Sequence, residues 1–146
     1  MNSPFLIDVH AHLENEKFSG DVCETIERAT SGGIKKIINA GCSIPECEQI
    51  IKLSESYKEC YSIVGVHPHN AKEFHDSDLE TIKEYTNHNK VLGIGEIGLD
   101  YHWNENREEQ IDAFERQMEI AREAEMPIII HSRDAAQDTY DVMRAH

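Results

Sequence analysis

Basic residues are scarce. Lys and Arg together number 14 against 28 Asp and Glu, a formal net charge of -14 over 146 residues. That balance excludes a broad cationic surface gripping nucleic acid through its phosphates. A polyanionic substrate would have to be held with the help of bound cations. Long apolar runs are also missing: nothing approaches the roughly 20 residues of a membrane span. Residues 1–15 lack the basic start, apolar centre and small-residue cleavage site of an export signal. Neither membrane insertion nor export is expected. Cysteine is sparse, with Cys23, Cys42, Cys47 and Cys60 all in the first half and no dense framework. Buried, reduced thiols in a cytoplasmic protein are therefore expected. Cys42 and Cys47 have a spacing that zinc sites use, but no second ligand pair follows. Neither a G-x-S-x-G elbow nor a G-x-x-x-x-G-K-[ST] loop occurs, so serine hydrolysis and P-loop chemistry have no support.

What the sequence does contain is alternation. The runs FLIDV (5–9), IKKIINA (34–40), CYSIVGV (60–66), KVLGIGEIG (90–98) and PIIIH (127–131) are short and rich in Ile and Val, as buried strands are. Between them lie stretches with apolar residues at helical spacing: Val22, Ile26 and Ala29, then Ile50, Leu53, Ser54 and Tyr57. Leu79, Ile82 and Tyr85 follow a capping-box pattern at Ser77 and Glu80. Ile111, Phe114, Met118 and Ala121 mark a fourth helix over about 107–125, and Ala136, Tyr140 and Met143 a fifth from about 134. These stripes are read as core. Five β-α units without a linker predict a single α/β domain with a parallel sheet. An open doubly wound sheet and a closed eight-stranded barrel both satisfy that element order.

In both architectures ligands gather at the carboxyl ends of the strands. Here those ends hold Asp8, His10 and His12, then His67 and His69, then Glu96 and Asp100, and finally His131, Arg133 and Asp134. Residues two apart on a strand share a face, so Leu6, Asp8, His10 and His12 point one way and Phe5, Ile7 and Val9 pack on the other. A His-x-His pair can reach one divalent cation, with Asp8 adding an oxygen donor or orienting a ring. Mixed nitrogen and oxygen donors suit Zn, Mn, Fe or Co, or Mg where oxygens dominate. A carboxylate such as Glu96 can bridge two metals, and such a pair suits displacement at a phosphodiester. Gly93, Gly95 and Gly98 spell the G-x-G-x-x-G dinucleotide pattern. Its context fails, because LDYHWNEN follows instead of a helix start and Glu96 would meet the pyrophosphate. The glycines are expected to let the chain turn closely around Glu96.

DVHAH (8–12), GVHPH (65–69), GEIGLDY (95–101) and IHSRDA (131–135), in this order and spacing, resemble the TatD family of metal-dependent deoxyribonucleases. The resemblance spans essentially the whole chain. It implies a TIM-barrel hydrolase fold, two divalent metal ions (Mg, Mn or Zn) and DNA as substrate, cut by metal-activated water. It implies His10 and His12 as ligands of one metal, Glu96 as a bridging ligand and His131 as a ligand of the second. Glu96 and His67 are implied as catalytic, with His67 near the substrate phosphate. Asp100 and Arg133 would line the substrate site, one supporting the ligands and the other contacting phosphate. Barrels of this kind run to about 250 residues, so residues 1–146 are expected to form one incomplete barrel domain of about five β-α units. Strands six to eight would be missing, and with them a His and an Asp that bind metal in the family. The first and fifth strands would then be exposed edges open to self-association. Impaired activity follows from the same expectation. The alternatives are another metal-dependent hydrolase (deacylase, amidase or lactonase) or an inactive fragment.

Overall fold

The computed structural model describes residues 5–103 and 106–146. Strands and helices alternate throughout: β1 (Leu6–Ala11), α1 (Val22–Ser31), β2 (Ile34–Ala40), α2 (Ile44–Ser56), β3 (Cys60–Val64), α3 (Asp76–Tyr85), β4 (Val91–Asp100), α4 (Arg107–Glu123), β5 (Ile128–Arg133) and α5 (Ala136–Ala145). The sheet order is β1-β2-β3-β4-β5, and every pairing is parallel. A doubly wound sheet reverses its strand order at a switch point. Here each crossover returns to the next position, the progression of a barrel, and five strands make a half-barrel with β1 and β5 at its edges.

Local chemistry sets the element ends. The Ser43 hydroxyl accepts the Glu46 N–H at 3.4 Å and Pro45 lies in the first turn, so α2 starts there. The expected capping box at Ser77 and Glu80 is displaced by two residues. Asp78 reaches back to accept the His75 backbone N–H at 2.8 Å, so the helix begins at Asp76 and Ser77 already lies inside it. β1 and β4 run further than the sequence pattern suggests and carry His10 and Asp100 on the strands themselves.

The main core gathers Val64, Ile94, Ile97 and Leu99 from the sheet, Val66 just after β3, and Ile82, Phe114, Met118 and Val142 from the helices. A second cluster packs Leu13, Ile26, Ile37 and Cys60 beneath α1 and α2. Two expected packing faces are not packed. Phe5 just before β1 and Val9 on it are 64% and 63% exposed, because no element among the described residues covers that edge. On α5, Tyr140 and Met143 are exposed along with Ala136, while Ala135, Thr139 and Val142 meet the sheet. Both stripes have helical spacing, and the one carrying Thr139, whose hydroxyl bonds Ser132 at 3.0 Å, is the one turned inward. Cys47 and Cys60 are buried as expected, and burial pushes their thiols up to about 12 and about 11. Cys23 is exposed, contrary to that expectation.

Two register shifts shape the rim of the sheet. Between β1 and β2, Asp8 pairs with Ile37 and Ala11 with Asn39, so one extra residue lies on β1. Between β4 and β5, Ile94 pairs with Ile128 and Ile97 with Ile130, so an extra residue lies beside Glu96. Such bulges re-aim side chains and are frequent beside functional sites. Gly98 has φ +140°, and a Cβ there would fall inside any real contact distance of the His131 carbonyl oxygen. The glycines are needed for the close approach of β4 to β5, as well as for the path around Glu96.

Candidate metal centre at the strand ends

Four strands bring the candidate ligands to one rim. His10 Nε2 lies 3.1 Å from His12 Nε2 and 3.3 Å from Glu96 Oε2. The other oxygen of the same carboxylate, Oε1, lies 2.9 Å from His131 Nδ1. Potential ligand atoms of His10, His12 and Glu96 all fall within 4.8 Å of one another, and so do those of His67, Glu96 and His131. Whether such a cluster fits a cation can be tested by edge length. Donors about 2.0–2.1 Å from one ion are about 2.8–3.0 Å apart in an octahedron and about 3.3–3.4 Å apart in a tetrahedron. The His10, His12 and Glu96 spacings of 3.1 and 3.3 Å lie within the span of those two edges. The residues present therefore fit a divalent metal.

Hydrogen bonds settle which ring nitrogen faces the cluster. The Asp100 side chain is fully buried, and its Oδ2 accepts from His131 Nε2 and His69 Nε2, each at 2.9 Å. Its Oδ1 accepts the His102 backbone N–H at 3.1 Å. Burial works against its charge, but the bonds from His131 and His102 hold the carboxyl below its ordinary range. With Nε2–H committed to Asp100, the His131 Nδ1 lone pair is left toward Glu96. Glu14 does the same for His12: its Oε1 lies 3.3 Å from Nδ1. That hydrogen bond raises the His12 pKa against the opposing effect of burial.

His67 behaves differently. Its Nδ1 accepts the His69 backbone N–H at 3.2 Å, and burial, followed by the neighbouring His131, lowers its pKa to about 4. A neutral ring whose Nδ1 is an acceptor carries its proton on Nε2. His67 thus presents a donor to the rim, which suits an anionic oxygen better than a cation. A pH consequence follows. The unfolded ring takes up a proton near 6.5 but the folded one only near 4, so stability is complete above about 6.5 and falls as pH drops toward 4. In chelator, His67→Asn, which keeps a cap acceptor, is expected to remove about 2–4 kcal/mol of the stability change across that window in urea titrations. An unchanged slope would show that the ring is not buried neutral.

The other expected residues divide. Asp8 is not part of either ligand cluster: its Oδ1 accepts the His10 backbone N–H at 3.2 Å, because the bulge after Asp8 breaks the two-residue alternation. Arg133 is exposed at the end of β5, where its carbonyl accepts the Tyr101 N–H at 2.9 Å. His102 packs edge-on against Trp103. Sequence reasoning also missed the residues that fix the rim. Gln117 accepts the Val66 N–H at 2.7 Å and donates to the Val66 carbonyl at 3.1 Å. Gln110 makes the same pair of bonds to Asp100, at 2.8 and 3.0 Å. Asn39 accepts the Leu13 N–H at 3.1 Å just after the His pair. The signal was available, since 110 and 117 are seven apart and so lie on the buried face of α4.

A half-barrel with histidine and carboxylate clusters at its carboxyl rim belongs to the class of metal-dependent hydrolases. The family model described as TatD related DNase matches residues 7–146, and the chain belongs to that family. It is 39% identical over 140 residues to the uncharacterized metal-dependent hydrolase YabD of Bacillus subtilis, covering 95% of this chain and 55% of that protein. It is 35% identical over 131 residues to the 3'-5' ssDNA/RNA exonuclease TatD of Salmonella typhimurium, covering 89% of this chain and 50% of that one. Among solved structures, the TatD homologue YJJV of Escherichia coli superposes with a TM-score of 0.91 at 29% identity, over 97% of this chain and 56% of the other. A TatD family hydrolase from Entamoeba histolytica, 24% identical, shares the fold with a TM-score of 0.82. The chain spans about half the length of the curated relatives it matches. No helix among the described residues is long and apolar enough to cross a membrane.

Proposed function

We propose that this chain carries the metal-binding rim of a nuclease that hydrolyses DNA phosphodiesters with two divalent cations, of Mg, Mn or Zn type. The observation that carries this reading is the position of Glu96, whose two oxygens face separate histidine sets, His10 with His12 on one side and His131 on the other. Cations held there supply positive charge toward a phosphate and acidify water at neutral pH, which also answers the chain's own acidity. Glu96, His10, His12 and His131 would hold them. Asp100 keeps His131 in the required tautomer and carries His69 with it. His67 offers its Nε2–H to a phosphate or leaving oxygen, and Arg133 supplies a guanidinium for the same phosphate from the end of β5. The name of the Salmonella relative, a single-stranded DNA and RNA exonuclease, favours a phosphodiester over an amide or lactone. The exposed β1 edge and the β5 edge are proposed sites for pairing with further strands, of this chain's own kind or continuing the barrel.

The test is release of nucleotides from single-stranded DNA by the purified chain with Mn or Mg, beside aminoacyl and lactone substrates. Metal-dependent nucleotide release abolished by chelator is expected. Turnover of an ester or amide alone would replace this reading by that of a deacylase or lactonase.

A further inference from the structure

Trp103 is the only tryptophan in the chain, and it is 66% exposed at the rim. An isolated exposed apolar residue needs no explanation, but this indole is held and placed. His102 packs edge-on against it with centroids 4.7 Å apart and planes at 82°. His102 is itself tied through Nδ1 to Asp134, 3.2 Å away at the start of the turn after β5. The indole also walls a cleft of about 180 Å³ shared with Pro68, His69, Asp100, Asn106 and Gln110. A cleft of that size suits one planar heterocycle rather than a base pair. From the cleft a continuous series of side-chain contacts leads to the candidate metal centre: His69 to Asp100, Asp100 to His131 and His131 to Glu96, each 2.9 Å.

Charge explains why such a platform matters here. With a net charge of -14, the chain gains little from general attraction to a polyanion. Affinity for nucleic acid must come from bound cations and from contacts that carry no charge, and stacking of a base on an aromatic ring is the strongest of the latter. Stacking needs an unpaired base.

We propose that Trp103, backed by His102, is the platform on which an unstacked nucleobase next to the scissile phosphate lies. This rests on the nuclease reading but is tested apart from it. The full chain is titrated with thymidine monophosphate, and in parallel with deoxyribose 5-phosphate, while its single indole is excited at the red edge of its absorption, where thymine is transparent. Free N-acetyltryptophanamide serves as the collisional control.

Saturable quenching by the nucleotide and none by the sugar phosphate is expected. In hydrolysis assays, Trp103→Ala should raise KM for a single-stranded oligonucleotide about 5–100-fold with kcat little changed, and Trp103→Phe should recover most of the loss. Duplex cleavage should be indifferent to both. The proposal is overturned if the nucleotide quenches no more than the sugar phosphate, or if an active Trp103→Ala keeps the parental KM. Base-dependent quenching in a chain that hydrolyses no nucleic acid would sustain the platform and defeat the nuclease reading. Hydrolysis without quenching would do the reverse.

Discussion

Glu96→Gln is expected to remove metal-dependent hydrolysis and to weaken divalent-cation binding by about 100-fold or more. Loss of a hydrogen-bond partner behind a metal ligand already costs about 10–100-fold, and Glu96 stands in front. Its Oε2 lies 3.3 Å from His10 Nε2 and its Oε1 2.9 Å from His131 Nδ1, so one carboxylate serves both halves of the rim. Gln offers one carbonyl oxygen and places an N–H₂ donor where the other acceptor stood. That donor would face a histidine lone pair on one side and could not bind a cation. The size of the side chain is unchanged, so the fold should be untouched. Isothermal titration with Mn or Zn, together with thermal unfolding in chelator, separates the two effects. Parental affinity in a folded Glu96→Gln would show that the carboxylate is not a ligand.

Gly98→Ala should destabilise the fold by about 2–6 kcal/mol. Two costs combine: a side chain at φ +140°, worth about 1–3 kcal/mol, and overpacking worth as much again. The methyl group would collide with the carbonyl of His131 on the paired strand, where backbone cannot yield as a flexible side chain would. Relief requires β4 and β5 to part at the pairing of Gly98 with His131. That separation would also pull Glu96 away from His131. The expected result is a large drop in urea midpoint with loss of metal binding in whatever folds. An unfolding free energy within about 0.5 kcal/mol of the parent would mean that the strands are not as close as described.

The parallel α/β order and the ligand-bearing rim were legible because strand chemistry is written at short range. Runs such as CYSIV and VLGIG are continuous β-branched or small residues, and the motifs after them alternate on the same period. The choice between barrel and doubly wound sheet was not legible by pattern, since it depends on where each crossover lands; only the strand order decided it. Asp8 was assigned to the face of His10 and His12 by strict alternation, and the bulge that spoils this needs the partner strand to be seen. On α5, two stripes of equal period compete, and which one turns inward depends on Ser132 being there for Thr139 to bond. Tyr140 and Met143 lost that contest despite being the more apolar pair. Gln110 and Gln117 were not singled out from the sequence, although their spacing puts both on one face of α4. Their amides satisfy backbone groups at the last residue of β4 and just beyond the end of β3, which a list of residue types does not reveal.

Those two glutamines have a consequence for how the rim can change. Loops at the carboxyl ends of barrel strands are usually the parts most at liberty to drift, leaving the barrel beneath them undisturbed. Here the exits of β3 and β4 are riveted to a single helix, at Val66 beside His67 and at Asp100. Any repacking that slides α4 along the sheet therefore drags both exits together. The helix works as a gauge bar, keeping the gap between a proton donor and a tautomer lock constant while the outer faces of the molecule remain free to vary.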